Sequence, residues 1–291
     1  MNVMLDSGAY SVWKRGEVID LQSYIDFIHE NKQWLDVYVN LDVMGDPVKS
    51  WENQREMERQ GLSPLPVYHI GEAKRFFDMA MEYDYFGIGG VVFKGKNTLV
   101  VNLMKLFIQL CPESNDYKPV KKLHGFGMAV PEIIAQYPWY SVDSASWVIY
   151  GRYGNIIMPR NTNGEPDYRK PPWVIDVSTR STSDIPYDNF GLSPQILQKA
   201  FVDYIELHGF KLGKSEFKNV NNGYVLQENE LWFNKKEGII EIIHERGVSN
   251  DHSLRDQINV MYYLEMSKTI PEWPWSWKPP RRMGTFFEAT E

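Results

Sequence analysis

Hydrophobic residues in the first half of the chain follow two alternating patterns. Short apolar runs rich in β-branched residues predict strands, and apolar residues spaced three or four positions apart between them predict helices. The six predicted strands are Val3–Leu5, Val37–Leu41, Leu65–His69, Tyr85–Val92, Lys121–Phe126 and Tyr140–Val142. The predicted helices carry Leu21, Tyr24, Ile25 and Ile28 on one face of the first and then span residues 48–60, 72–83, 98–110 and 130–136.

This alternation of strands and helices predicts a parallel sheet, because the chain returns to a neighbouring parallel strand through a crossover that is usually a helix. Six such units favour an α/β fold of the TIM-like (β/α) barrel type, and an open doubly wound sheet is the second choice. In such barrels the active site lies where the strands end and the helices begin. We therefore expect the functional residues directly after the strands.

The second half of the chain changes character and predicts an α+β extension. Residues 150–190 are rich in Pro, Gly, Asn and Arg, which indicates loops around a strand at 173–177. Ser193 and Pro194 predict the start of a helix over 194–208, with Ser193 as N-cap. Three antiparallel strands (223–227, 230–234 and 238–243) and a helix over 252–267 follow. We divide the chain into a catalytic barrel, residues 1–183, and a C-terminal extension, residues 184–291, that packs on the barrel or docks substrate.

Composition and charge narrow the classes of function. The net charge of −7 argues against non-specific nucleic-acid binding over the whole surface, although residues 150–180 hold five positive and three negative side chains. The single cysteine, Cys111, excludes an internal disulfide and a cysteine-rich zinc site. No apolar run approaches the ~20 residues needed to cross a bilayer, and the first residues do not have the pattern of a signal peptide. These features predict a cytoplasmic protein without a membrane partner.

Polar residues and glycines follow each predicted strand. Carboxylates follow three of the strands, which suits glycosidic-bond chemistry, in which one carboxylate attacks the sugar and another donates a proton to the leaving group. Glycines at strand ends let a flat ring approach the backbone closely. For each aspartate the alternative is a cap on the following helix, and this is our interpretation of Asp46. The candidates are Asp6, Ser7, Gly8, Asp42, His69, Gly89, Gly90, His124, Gly125, Gly127 and Asp143.

Five short motifs carry a resemblance to a known family. They are Asp-Ser-Gly-Ala-Tyr-Ser (6–11), Asn-Leu-Asp (40–42), Gly-Gly (89–90), His-Gly-Phe-Gly (124–127) and Ser-Val-Asp-Ser (141–144). Their order resembles the tRNA-guanine transglycosylase superfamily, and it looks closest to the phage and bacterial branch that inserts 7-deazaguanines into DNA. The resemblance covers roughly residues 3–160.

The resemblance implies a role for each strand-end residue. Asp143 would attack the anomeric carbon, and Asp6 would protonate the departing base and deprotonate the incoming one. Asp42 would read the Watson–Crick edge of the purine, and His69 stands where the family often has a glutamine that holds the base. The remaining residues would contact the base through backbone, pack beneath it or shape the turn: Gly89, Gly90, His124, Gly125, Gly127, Ser7 and Gly8.

Two departures from the family pattern affect these expectations. The tRNA enzymes carry a zinc site of three cysteines and a histidine after the nucleophile, whereas no cysteine follows Cys111 here, so no metal is expected. The family also has two further barrel strands before the Asp-Ser-Gly strand. The barrel is therefore either incomplete or closed by a segment such as 173–177.

The resulting hypothesis is exchange of guanine in DNA for a free 7-deazaguanine base, with no cofactor. Arg152 and Arg160 follow the nucleophile and are predicted to contact DNA phosphates, with plain surface arginines as the alternative. Hydrolysis of an N-glycosidic bond in nucleosides or nucleotides, and exchange on tRNA, remain open. A silent barrel that binds nucleic acid or a partner protein is the non-enzymatic alternative. A homodimer or a partner from a modification complex is compatible with the sequence.

Overall fold

The computed structural model describes residues 3–90, 95–181, 188–221 and 223–280. The chain forms two compact units. The first contains Met1–Met128, Tyr137–Asp143 and Glu272–Glu291, and the second contains Ala129–Gln136 and Ser144–Pro271. The boundary predicted between residues 183 and 184 lies outside the described residues, and the units divide the chain elsewhere, because residues 144–181 make their contacts with later segments. None of the described helices is long and apolar enough to cross a membrane.

Six short parallel strands form the framework of the first unit. They are β1 (Met4–Leu5), β2 (Val37–Tyr38), β3 (Val67–His69), β4 (Tyr85–Gly89), β5 (Lys122–Gly125) and β6 (Ser141–Val142). Strands β3, β4, β5 and β6 make a parallel sheet in chain order, and β1 pairs with β2. A parallel bridge between Val39 and Leu65 links the segments that follow β2 and precede β3. The predicted parallel sheet is therefore confirmed.

The helices of the first unit follow the predicted apolar faces. They are α1 (Ala9–Lys14), α2 (Leu21–Asn31), α3 (Pro47–Arg59), α4 (Lys74–Ala80) and α5 (Lys96–Leu110). Tyr24, Ile25 and Ile28 of α2 are buried, as their spacing predicts. Asp46 caps α3 by accepting a hydrogen bond from the Lys49 backbone N–H, which confirms its predicted structural role.

Barrel closure is not found in the described part of the chain. No hydrogen-bonded pairing there joins β6 to β1. The segment expected to close the barrel forms a strand, Trp173–Asp176, that pairs antiparallel with Asn155–Met158 instead of adding a parallel strand. The structure is thus a mixed α/β fold with a parallel four-stranded sheet.

The described residues of the second unit form four α-helices and three antiparallel sheets. Its helices are α6 (Pro131–Gln136), α7 (Ser146–Arg152), α8 (Gln195–Leu207) and α9 (His252–Thr269). Its strands are β7 (Asn155–Met158), β8 (Arg160–Thr162), β9 (Glu165–Asp167), β10 (Trp173–Asp176), β11 (Lys214–Asn219), β12 (Glu230–Asn234) and β13 (Ile239–Glu245). Buried Asn259 of α9 accepts a hydrogen bond from the Ile157 N–H and donates to Trp147 and Asn155. These bonds connect residues 147–157 with the last helix.

Two details predicted for the second unit are wrong. Residues 223–227 form no strand, because β11 occupies the place beside β13 over its whole length. Helix α8 begins at Gln195 after Pro194, and Ser193 does not cap it. The Ser193 hydroxyl donates to the Asn189 carbonyl instead.

Candidate active site

The candidate residues of the first unit lie at or just after the carboxyl ends of the parallel strands β1 to β6. His69, the last residue of β3, is paired in register with Gly89, the last residue of β4. Gly125 ends β5 and is paired with Val142, which ends β6 and precedes Asp143. The sequence prediction that these residues follow strands is confirmed, and the parallel pairing brings the strand ends to one edge.

Asp143 is a half-exposed carboxylate held by two donors. Its Oδ1 accepts a hydrogen bond from the Gly127 backbone N–H at 2.9 Å and lies 3.2 Å from His124 Nε2. Its own backbone N–H donates to the Gly125 carbonyl oxygen. The side chain is 56% exposed. Oδ2 accepts neither of these two hydrogen bonds and is therefore available to react.

The surroundings of Asp143 favour its charged form. Partial burial raises the pKa of this carboxyl, but the hydrogen bonds from His124 and Gly127 outweigh burial, and the pKa lies below its ordinary value. Hydrogen bonds to a carboxylate stabilise the ionised form selectively. Asp143 is therefore ionised at neutral pH.

A chain of hydrogen bonds leads from Asp143 into the sheet. His124 is buried, and its Nδ1 lies 2.8 Å from the Ser141 hydroxyl. The Ser141 hydroxyl in turn lies 2.8 Å from the Tyr85 hydroxyl. The sequence analysis named His124 but missed Ser141 and Tyr85. The signal for Ser141 was its position two residues before Asp143, because alternate residues of a strand share a face.

A second group of titratable side chains surrounds His69. His69 Nε2 lies 3.5 Å from Asp42 Oδ2, and His69 Nδ1 lies 3.2 Å from Glu72 Oε1. Glu72 also accepts a hydrogen bond from the His69 backbone N–H. The Asp42 side chain is 8% exposed. The imidazole is thus held between two carboxyl groups, of which Glu72 was missed by the sequence analysis.

The Asp42–His69–Glu72 group holds a proton near neutral pH. Burial raises the pKa of Asp42 to about 7, the His69 charge opposes the rise, and the charges of Glu72 and Asp6 add to it. Burial alone would lower the pKa of His69, but the hydrogen bond that the imidazole donates to Glu72 and the charges of Asp42 and Glu72 outweigh burial and raise it. The two groups titrate as a coupled pair.

Asp6 is the exposed carboxylate of the site. It follows β1, and its charge contributes to the raised pKa values of Asp42 and Tyr24, which places it within electrostatic reach of both. Ser7 is buried, and Gly8 adopts a left-handed conformation directly before α1. This geometry agrees with a turn at Ser7 and Gly8.

In the described structure, other groups of the protein occupy the space beside the strand-end glycines. A Cβ on Gly89 would lie 2.5 Å from the His69 ring, and one on Gly90 would lie 3.3 Å from the Ile70 nitrogen. Gly125 faces Trp139 and Val142, and the Gly127 N–H donates to Asp143. Contact of these glycines with a base stays a prediction.

The two predicted DNA-binding arginines lie in the second unit. Arg152 is the last residue of α7 and is exposed. The Arg160 guanidinium stacks over the Trp173 ring, 4.1 Å from its centroid. The buried Arg160 Nε has no hydrogen-bond partner in the structure. Contact of either arginine with DNA phosphates stays a prediction.

The described residues contain no group of three or more His, Cys, Asp or Glu side chains arranged to hold a metal ion. No protein-family model, curated protein or solved structure matches this chain. The resemblance to the tRNA-guanine transglycosylases therefore depends on the ordered strand-end motifs, and the argument for function depends on the geometry of the site.

Proposed function

We propose that the protein is a transglycosylase that exchanges guanine in DNA for a 7-deazaguanine base through a covalent intermediate on Asp143. The supporting observation is the half-exposed, ionised Asp143 carboxylate, fixed by His124 and Gly127 at the carboxyl edge of a parallel sheet. A nucleophilic carboxylate must be charged, accessible and oriented. Asp143 meets these three requirements.

The exchange consists of two displacements at the sugar C1′. In the first, Asp143 Oδ2 forms a bond to C1′ while the bond to guanine breaks and Asp6 donates a proton to the departing base. In the second, Asp6 takes a proton from the incoming base, which forms the new bond to C1′ and releases Asp143. Two displacements retain the configuration of the sugar. The low pKa of Asp143 favours the second step, because a weakly basic carboxylate is a good leaving group.

The Asp42–His69–Glu72 group has the chemistry to bind the purine edge. Guanine offers N–H donors at its Watson–Crick edge next to a carbonyl acceptor, and ionised Asp42 accepts from such donors. Protonated His69 donates to the carbonyl oxygen, and Glu72 keeps the imidazole oriented. The target guanine must first leave the base stack, at a cost of a few kcal/mol.

The strand order supports a barrel-like framework for this chemistry. Strands β3 to β6 are neighbours in chain order, and the Val39–Leu65 bridge continues that order to β2 and β1. Successive parallel neighbours with helical crossovers form the wall of a TIM-like barrel. We therefore include in the proposal that these strands close into a barrel.

The proposed function is tested by incubating the protein with double-stranded DNA and 7-cyano-7-deazaguanine. The DNA is then digested to nucleosides for mass spectrometry, with Asp143→Ala alongside. Asp84→Asn is the matched control, because Asp84 is exposed and precedes β4 at the opposite end of the strand. We expect a deazaguanine deoxynucleoside from the wild type and from Asp84→Asn, and none from Asp143→Ala.

Other products would contradict the exchange. Free guanine with an abasic site would indicate the N-glycosidic hydrolase alternative, in which water replaces the incoming base. A deazaguanine nucleoside formed in tRNA, and none in DNA, would identify tRNA as the substrate. No reaction on either polymer would favour a silent barrel.

A further inference from the structure

Three side chains connect the interior of the sheet with Asp143. Tyr85 begins β4, His124 lies in β5 and Ser141 begins β6, so three adjacent parallel strands each contribute one group. The hydroxyl–hydroxyl and hydroxyl–imidazole distances are both 2.8 Å, and the imidazole–carboxylate distance is 3.2 Å. We infer that Ser141 and Tyr85 are positioning residues that hold His124 in the Nε2–H tautomer, so that His124 donates to Asp143. The catalytic consequence of this arrangement rests on the proposed function.

The direction of each hydrogen bond follows from which atoms carry a proton that they can donate. Ionised Asp143 can only accept, so His124 Nε2 must carry a proton. In the neutral imidazole with a proton on Nε2, Nδ1 is the acceptor, and it faces the Ser141 hydroxyl. The Ser141 hydroxyl donates to Nδ1, and the Tyr85 hydroxyl donates to Ser141. Burial raises the pKa of Tyr85, which therefore keeps the proton that it donates.

Packing holds the imidazole ring in this orientation. The Phe126 ring meets the His124 ring edge-on, with centroids 4.4 Å apart. Phe126 occupies the space above Gly87, where a Cβ would lie 2.2 Å from the ring. The His-Gly-Phe-Gly motif thus supplies the donor His124, the ring that confines it and the Gly127 N–H. Gly87 on the neighbouring strand gives that ring its space.

Asp143 is the ionised end of this row of hydrogen-bonded side chains, and a cation lies near the other end. Asp143 faces His124 and the Gly127 N–H. At the other end, the Tyr140 ring packs edge-on against Tyr85, and Lys122 Nζ lies over that ring, 4.7 Å from its centroid.

The tautomer determines how Asp143 reacts. Two donors on Oδ1 leave Oδ2 as the attacking atom and stabilise the carboxylate when it departs in the second displacement. In the opposite tautomer, the Nε2 lone pair would face Oδ1, and the repulsion would raise the pKa of Asp143. Without the Ser141 hydroxyl, the energetic preference for the Nε2–H tautomer is reduced.

The inference is tested on the full chain by long-range ¹H–¹⁵N NMR, which distinguishes the two neutral tautomers and the imidazolium. The chain has six histidines, and a His124→Gln variant assigns the His124 signals. We expect the Nε2–H tautomer at neutral pH in the wild type, a mixture of forms in Ser141→Ala, and a smaller change in Tyr85→Phe. Ser141→Thr keeps a hydroxyl and should restore the single tautomer.

Two results would overturn the inference: an Nδ1–H tautomer or an imidazolium in the wild type, or a spectrum unaffected by Ser141→Ala in a folded protein. Circular dichroism of each variant establishes folding. This spectrum requires no turnover, so the inference and the proposed function can fail separately. If exchange occurs, Ser141→Ala should also shift the acid limb of the pH–rate profile to higher pH, and Ser141→Thr should reverse the shift. An equal loss of rate at every pH would indicate a merely structural role and contradict the inference.

Discussion

Two aspartates that follow parallel strands, Asp143 after β6 and Asp42 after β2, have opposite environments. Asp143 is half-exposed and accepts two hydrogen bonds, and its pKa is lowered. The Asp42 side chain is 8% exposed, its contacts with Asn40 and His69 are 3.4 and 3.5 Å long, and its pKa rises to about 7. Donated hydrogen bonds outweigh burial at the first position, and burial dominates at the second. The contrast shows that the strand end alone does not determine the charge of its carboxyl group.

This difference separates the chemical roles that the two carboxyls can take. A group that stays ionised can act as a nucleophile, whereas a group that titrates near neutral pH can gain and lose a proton during binding. Pairs of titratable groups with diverging pKa values are a recurrent feature of acid–base sites. The charge of Asp42 therefore changes with pH near neutrality, whereas Asp143 stays ionised.

The largest expected effect comes from removing the charge of Asp143, the carboxylate that stays ionised. Asp143→Asn keeps the shape of the side chain but removes its charge, and we expect the covalent protein–DNA adduct to fall by about 10⁴-fold or more. The measurement is an adduct shifted on a denaturing gel after incubation with labelled DNA. Asp42→Asn, in parallel, should weaken base binding but keep the nucleophile. Adduct formation by Asp143→Asn at the wild-type level would remove the distinction between the two positions.

The next effect concerns stability, and its sign distinguishes Asp42 from Asp143. A carboxyl whose pKa rises from 3.8 to about 7 on folding destabilises the fold as pH rises between those values, by on the order of 4 kcal/mol at most. The raised pKa of His69 acts in the same direction, because its stabilising contribution is lost as pH rises through the folded value. We expect Asp42→Asn to be more stable than the wild type at pH 8 by about 1–3 kcal/mol.

Urea unfolding at pH 4 and pH 8 measures this difference. At pH 4 most of the advantage of Asp42→Asn should disappear, because the Asp42 carboxyl of the wild type is then protonated in the folded state and already partly protonated in the unfolded state. Asp26→Asn, on the exposed face of α2, is the control and should follow the wild type at both values. Equal stabilities of wild type and Asp42→Asn at pH 8 would show that burial does not raise the pKa of Asp42.

Much of the framework could be predicted from sequence because its causes are local. Apolar runs predicted all six parallel strands, and Asp46 next to Pro47 predicted a helix cap. The short helix α1 was missed, because its six residues are too few to show a helical period. Strand 223–227 was predicted wrongly, because pairing with β13, not local propensity, determines which segment becomes a strand.

The site was predictable in its strand ends but not in its partners. Asp143, Asp42 and His69 follow strands, and that position is visible in the sequence. Tyr85 lies 56 residues from Ser141, and only the parallel register of β4, β5 and β6 connects them. The opposite pKa shifts depend on burial and on donors from other strands, neither of which a single sequence displays.

The last expected effect, similar in size to that of Asp42→Asn, tests the position of the His69 ring against Gly89. A Cβ on Gly89 would lie 2.5 Å from the imidazole, so Gly89→Ala should displace the ring from Asp42 and destabilise the fold by about 1–3 kcal/mol. Displacement also separates His69 from the charge that raises its pKa, and an NMR titration should show a lower value. The double variant Gly89→Ala/His69→Ala is the control, because without the imidazole the added methyl group has space.

In a double-mutant cycle, the stability cost of Gly89→Ala should therefore largely disappear in the His69→Ala background. Gly95→Ala is a second control, because a Cβ there meets no atom within 4 Å. If Gly89→Ala destabilised the fold equally with and without the His69 side chain, the His69 ring would not lie against Gly89. Asp42 would then lack the nearby positive charge that limits its pKa, and burial together with the charges of Glu72 and Asp6 would account for the raised value.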